Sequence, residues 1–434
     1  MKKQFLLTLA FVAASVVWGF AQQPTIDNYR PWNKEGINTF EPAKTVDEEG
    51  SDAVKVRIGG SFAQQFQSLS HSNVDGDNGN GALYPLGSGF NLAAANLNLD
   101  IQLGQGIRLA LENYMSSRHH SEFWVKGGYI QVDKLPFKGN NDWFDKNMRV
   151  KIGHFEVNYG DQHFRRTDNG NALFNPFVGN YIMDAFATEV GGEVYVFSPS
   201  GLMGMVGLTA GLINGDIKDY SEDADGIKKS PSIVLKLAYD KNMSDDLRLR
   251  LSGSAYINSN TARNTLYGGD RTGSRYFLVM EAASANAKDN AFSGRVNPGF
   301  SNKITAIQFN PFVKYKGLEV FGVLEFVSGK NLRASANDID RTANQFGVDA
   351  LYRFGADENV YLGAKYDTVS GQLLTGNEDK QSVNRFAVSA GWFVTKNLML
   401  KAEYVNQNYK DYPTGSLFQD GNFKGVVIEA VAGF

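Results

Sequence analysis

Hydrophobic and polar residues alternate with a period of two through much of this chain, in runs of about ten residues, the length a tilted strand needs to cross a bilayer. Leu247, Leu249, Leu251, Ala255 and Ile257 interleave with Arg248, Arg250, Ser252, Ser254 and Tyr256. Leu97, Leu99, Ile101 and Leu103 alternate in the same way with Asn96, Asn98, Asp100 and Gln102. So do Leu398, Leu400, Ala402 and Tyr404 with Met399, Lys401, Glu403 and Val405. A helix of about 3.6 residues per turn would scatter these sets, whereas neighbouring strand residues point to opposite faces.

One such segment also suits a soluble β-sandwich, so the number and spacing of segments decide. Sixteen can be placed, from Val54–Gln67, Asn91–Leu103 and Ile107–Met115 to Val383–Val394, Leu398–Asn408 and Phe423–Phe434. Their connections alternate: Gly104 to Gly106, Lys316-Gly317 and Thr395 to Asn397 are tight, whereas 71–89, 158–184, 258–302 and 409–422 are long. The pattern predicts an all-β fold, a transmembrane antiparallel barrel of about sixteen strands, with short turns facing the periplasm and long loops outside. Tyr276–Glu281, within the longest connection, is either a loop hairpin or the extra pair of a barrel with eighteen strands.

The amino terminus adds the address. Met1, Lys2 and Lys3 precede an apolar run from Phe5 to Val17 and then Gly19-Phe20-Ala21, a secretory leader with cleavage expected between Ala21 and Gln22. No later stretch is long and apolar enough for a membrane-crossing helix, which excludes a helical transporter. The expected organisation is a signal peptide at 1–21, a periplasmic N-terminal extension or small plug at 22–53, and an outer-membrane barrel at 54–434. Cysteine is absent and glycine numbers 46 against 11 prolines, which removes disulfides and thiolate chemistry and suits a turn-rich β protein. The formal charge of −3, made more negative by loss of Lys2 and Lys3 with the leader, excludes a generally basic nucleic-acid binder.

If the apolar set of each strand faces lipid, the other set lines the lumen. On the clearest strands that wall carries Lys55, Arg57, Arg108, Arg149, Lys151, Lys236, Arg248, Arg250, Arg353, Lys365 and Lys401 against Asp100, Glu112, Asp349, Asp367, Glu403 and Glu429. Such an excess of cations would concentrate anions in a pore, unless opposed charges on neighbouring strands simply pair. The connection 158–184 reads GDQHFRRTDNGN and then NPFVGNY, too rich in turn formers and aromatics for a loose tip. Folded inward, its Asp161, His163, Arg165, Arg166 and Asp168 would narrow the lumen and set a field across it. The alternative is a surface loop packed on its own aromatics.

The leader, the glycine- and aromatic-rich strands, the segment GDQHFRRTDNGNALFNPFVGNY and the terminal Phe434 together resemble an outer-membrane porin of the phosphate-selective type found in Bacteroidetes-like bacteria. The resemblance spans most of 54–434 and implies a water-filled channel for passive diffusion of small hydrophilic or anionic solutes. It also implies recognition of the Phe434 strand by the barrel-assembly machinery, and a homotrimer in outer-membrane lipid. The family reaches phosphate through lysine-rich constrictions, and this loop has two arginines and no lysine, which separates the channel from its solute. The runner-up is a closed outer-membrane barrel whose long loops bind a surface partner.

Nothing in the sequence implies an enzyme, a cofactor or a metal. His119 and His120 are adjacent, so on a strand they would point to opposite faces and make a poor chelate. His154 falls in phase with Met148, Val150 and Ile152 on the lipid face. His163 has no serine or glutamate motif beside it, and Asp75 to Asn80 mimics part of a calcium loop without its later glutamate.

Overall fold

A computed structural model of the chain describes residues 23–44, 53–74, 82–118, 123–137, 139–212, 215–333 and 339–434. The leader, the calcium-like stretch from Asp75 to Asn80, and His119 with His120 lie outside these residues. The strands are β1 (Lys55–Ser72), β2 (Gly89–Phe90), β3 (Ala94–Gly104), β4 (Ile107–Ser116), β5 (Phe123–Val132), β6 (Met148–Glu156), β7 (Thr188–Phe197), β8 (Leu202–Thr209) and β9 (Ser232–Asn242). They continue as β10 (Leu247–Asn258), β11 (Lys303–Tyr315), β12 (Leu318–Lys330), β13 (Arg341–Phe354), β14 (Val360–Gly371), β15 (Gln381–Thr395), β16 (Leu398–Lys410) and β17 (Asn422–Gly433).

These segments make sixteen staves, because β2 and β3 both pair with β1 and form one interrupted strand. Every neighbour is antiparallel, and the sheet closes where β1 pairs with β17. β1 is staggered: Lys55–Ala63 pair with β3 and Ser61–Ser72 with β17. That offset is the register shift a tilted barrel requires. Phe434 completes the seam, exchanging two backbone hydrogen bonds of 3.0 Å with Gly60. Tyr276–Glu281 forms no strand, so the count stays at sixteen.

The alternation read from the sequence becomes the two faces of the wall. Leu237, Leu251 and Ile152 are 64%, 57% and 61% exposed on the outside, while Arg250, Lys236 and Lys401 are buried inside. Tyr315, Tyr352, Phe354 and Trp392 stand outward within a few residues of the short turns, as interfacial aromatics do. The connections 316–317, 355–359 and 396–397 share that end with Lys34 of the amino-terminal segment and with Gly433 and Phe434. The connection between β5 and β6 is the long exception at that end and carries α1 (Asp142–Asn147). Its cause is visible: Lys44 donates to the carbonyls of Asp133, Phe144 and Met148, so this turn is built out to clamp the amino-terminal segment.

The core of the molecule is the filled lumen itself. Val178, Ile182, Met183 and Ala185, from the connection after β6, pack against inward residues such as Tyr256, Ile304, Val383 and Val405. Residues 23–44 enter the short-turn end and run round its inside. Trp32 donates to Asp100 of β3 at 3.1 Å, Lys34 reaches Asn359, Asn38 donates to Glu319 of β12 at 2.7 Å, and Glu41 pairs with Lys236 and Arg250. A Cβ on Gly59 would lie 2.3 Å from Trp32 Cδ1, so β1 carries glycine where the indole lies against its backbone.

Candidate functional site

The connection from Val157 to Ala187 leaves β6 and crosses the lumen. Its course is fixed by hydrogen bonds to inward side chains of nearly half the wall. Asp161 accepts from Arg250 Nε and Nη2, both at 2.8 Å, and from Ser252 at 2.7 Å, and pairs with Lys236 at 2.8 Å. The Met183 amide donates to Gln345, and the Ile182 amide to Asp367 at 2.5 Å. Lys365 donates to the Gly179 carbonyl. Lys401 donates to the carbonyls of Ala172, Asn175 and Phe177 at 2.8, 2.9 and 3.0 Å. Glu403 accepts from the Val178 amide at 2.8 Å. The inward charges of β10 to β16 thus hold an irregular backbone whose polar groups have no ladder of their own.

The five loop residues singled out by the sequence separate into two groups. Arg165 pairs with Glu319 and Asp349 and lies over the rings of Phe312 and Phe321, and Asp161 is buried beneath Arg250. These two fasten the loop to the wall. His163, Arg166 and Asp168 instead face the open side. His163 shares hydrogen bonds with Glu156 and Asn158, Arg166 makes a two-pronged bond to Asp184 at 2.7 and 2.6 Å, and Asp168 pairs with Lys126. No facing rows of opposite charge form. Burial would push Asp161 up, but Arg250 and Lys236 outweigh it and hold the carboxyl far below its ordinary range. Burial likewise opposes the charge of Arg166, and Asp184 more than restores it.

On the opposite side, against β3 to β7, the loop leaves a cavity of about 160 Å³. The amino-terminal segment floors it with Arg30, Trp32, Phe40 and Glu41, and the loop covers it with Phe164, Asn171 and Phe174. Asn98, Asp100, Arg108, Lys126, Tyr129, Arg149, Lys151 and Phe155 form the wall. The segment touches the loop directly: Arg30 donates to the Phe164 carbonyl at 2.8 Å and lies 3.7 Å from the Phe174 ring centre, and the Phe40 and Phe164 rings meet edge to face at 5.8 Å. Burial works against the charge of Glu41, yet Arg250 and Lys236 hold its carboxyl at about 2.

The remaining wall residues named from the sequence are inward and mostly paired. Arg108 bonds Asp100 and Gln131, Arg149 bonds Asp133 and the Pro42 carbonyl, and Arg248 makes a fork on Asp240. Lys401 pairs with Glu429, which also accepts from Gln65, and Arg353 bonds Glu319. Lys55 and Arg57 sit at the start of β1 opposite Gln102 and Asp100, with Arg57 over the Tyr29 ring. The cationic excess inferred from the clearest strands shrinks, because buried Glu189, Glu193, Glu319 and Glu325 also face inward alongside Lys126, Arg341 and Arg385. Glu319 and Glu325 were obscured because β12 is apolar on both faces: its inward Phe321 and Val323 pack on Phe40 and Tyr181. His154, placed in phase with the lipid face, is half-buried and hydrogen-bonds Thr188 of β7 at 3.0 Å.

A closed antiparallel barrel of sixteen strands, apolar outside, polar inside and crossed by a loop after its fifth stave, has the porin fold. Among solved structures it is similar to the anion-selective porin from Comamonas acidovorans, with a TM-score of 0.53 and 12% identity over 88% of this chain and 100% of that one. It is also similar to the high-pH structure of OprB from Pseudomonas putida, with a TM-score of 0.51 and 11% identity over 88% of this chain and 94% of that one. No family model matches the chain, and no curated protein matches it. The likeness is therefore one of fold, and the solute must be argued from the side chains.

Proposed function

We propose that the chain is an outer-membrane porin, not an enzyme, through which small hydrophilic solutes diffuse passively along the side of the lumen formed by β3 to β7. The observation that carries this reading is the asymmetric filling of the barrel. The loop is bonded along its length to β10–β16 and at fewer points to β3, β5, β6 and β7, where polar side chains and a cavity remain between loop and wall. The loop 158–184 is then the constriction, and 23–44 narrows the periplasmic mouth. The apolar exterior with its aromatic girdle suits outer-membrane lipid, reached after leader cleavage. The outward face of β17, with Val426, Ile428 and Phe434 exposed, suits recognition by the barrel-assembly machinery. A homotrimer and the phosphate-selective, Bacteroidetes-type family stay with this proposal as expectations of the resemblance.

The anion preference is a modest bias resting on few groups. Most inward charges are paired, but Lys151 lies over the Tyr129 and Phe155 rings, with its nearest acid, Glu193, at 3.5 Å. In planar bilayers under a salt gradient, purified protein is expected to give discrete steps of small conductance with an anion-selective reversal potential. Lys151→Glu is expected to move that potential toward cations. Cation selectivity in the parent would sink the charge argument and keep the channel. The dense filling of the lumen favours the closed-barrel reading, and a folded, heat-modifiable protein giving no steps would establish it instead.

A further inference from the structure

Inside the cavity the charges are unevenly matched, while Asn171 Oδ1 and Asp168 Oδ1 are acceptors buried without a hydrogen-bond partner. Each carboxylate that lines it is already engaged: Asp100 by Arg108 and Trp32, Glu112 and Asp168 by Lys126, Glu156 by His163, and Glu41 by Lys236 and Arg250. The donors are not all used. Arg30 makes no ion pair among the described residues and donates only to the carbonyls of Gly36 and Phe164. Lys151 has one acid at 3.5 Å, and that acid, Glu193, already accepts from Tyr195 at 2.6 Å and from the Asn158 amide at 3.1 Å. Asn98 Nδ2 and Arg149 Nη2 are buried without a partner. Buried donors left unpaired are costly, so two buried N–H groups without a partner, beside two cations whose charge is incompletely matched, call for acceptor oxygens in the cavity.

Much of the remaining lining is aromatic. Trp32, Tyr129, Phe155 and Phe164 line the same space. An inorganic anion would satisfy the donors and leave these rings facing water, whereas a carbon skeleton ending in carboxylate uses both. We propose that this cavity is a recognition site for a small organic carboxylate, with Lys151 and Arg30 binding its oxygens and the aromatic rings flanking its body. The inference rests on the porin reading for its meaning as a solute site, but binding does not require conduction.

The test separates the two. Calorimetric titration of the detergent-solubilised full-length mature protein with succinate, inorganic phosphate and glucose reads binding directly, and block of current by the same probes reads passage. Succinate is expected to bind saturably, with phosphate and glucose far weaker. Lys151→Met and Arg30→Gln are each expected to weaken succinate about tenfold, the loss of a charge-assisted hydrogen bond, and Lys151→Arg to restore most of it. Phosphate binding as tightly as succinate would overturn the organic class, and no binding of any probe by the folded barrel would overturn the site. Succinate binding without current steps would keep this site and overturn the porin.

Discussion

Removal of residues 23–44 is expected to raise single-channel conductance several-fold while the barrel still folds. The segment makes no strand of the wall, so its loss leaves the sheet and its closure at β1 and β17 intact. It nevertheless floors the cavity and touches the lumen-crossing loop from below through Arg30, Gly36, Asn38 and Phe40. Taking it away widens the narrowest part of the path and leaves Asp100, Asp133 and Glu319 facing water, where their partners Arg108, Arg149 and Arg353 still neutralise them. The check is a bilayer comparison of the parent and the shortened chain, each shown to be heat-modifiable. Equal conductance would mean that the segment does not border the path.

The second large effect is Asp161→Asn. The substitution keeps shape and removes one charge from a site where Arg250 and Lys236 both depend on it, leaving Glu41 to balance both and the partly exposed Asp240 to help only Arg250. An uncompensated buried cation is among the costliest defects a fold can carry, and the loss expected is about 3 kcal/mol. The loop should loosen first, since the Asp161 anchor sits one turn from its start. Urea unfolding followed by tryptophan fluorescence reads the stability, and current noise reads the loop. Trp32 reports the mouth directly, being hydrogen-bonded to Asp100. A variant as stable and as quiet as the parent would remove Asp161 from the anchor.

How much of this was legible in the sequence follows from which forces are local. Alternation on β10, β16 and β3 is imposed by lipid on one side and water or polar loop on the other, so it survives in the sequence and locates the strands to within a few residues. It fades on β12, where Phe321 and Val323 face a packed loop instead of solvent, and the acids beside them disappear into an apolar run. The loop announced itself through its turn formers and aromatics. Its partners did not, because Arg165 meets Asp349 across 184 residues and Lys401 meets the Ala172 carbonyl across 229, and the folded barrel sets such pairings rather than any local spacing. Residues 22–53 showed no alternation for a related reason: 23–44 is held by side chains from many strands and belongs to no sheet.

The central claim is that the path runs along β3–β7 and that the opposite wall is sealed by the loop. The chain has no cysteine of its own, so single cysteines can be read without background. Asn98→Cys on β3 and Ser389→Cys on β15, where the native hydroxyl donates to the Pro176 carbonyl at 2.8 Å, place a thiol on each side. With a charged, membrane-impermeant thiol reagent added during bilayer recording, the account predicts rapid, stepwise loss of current for Asn98→Cys and no response for Ser389→Cys. Reaction at Ser389→Cys with Asn98→Cys silent would contradict it.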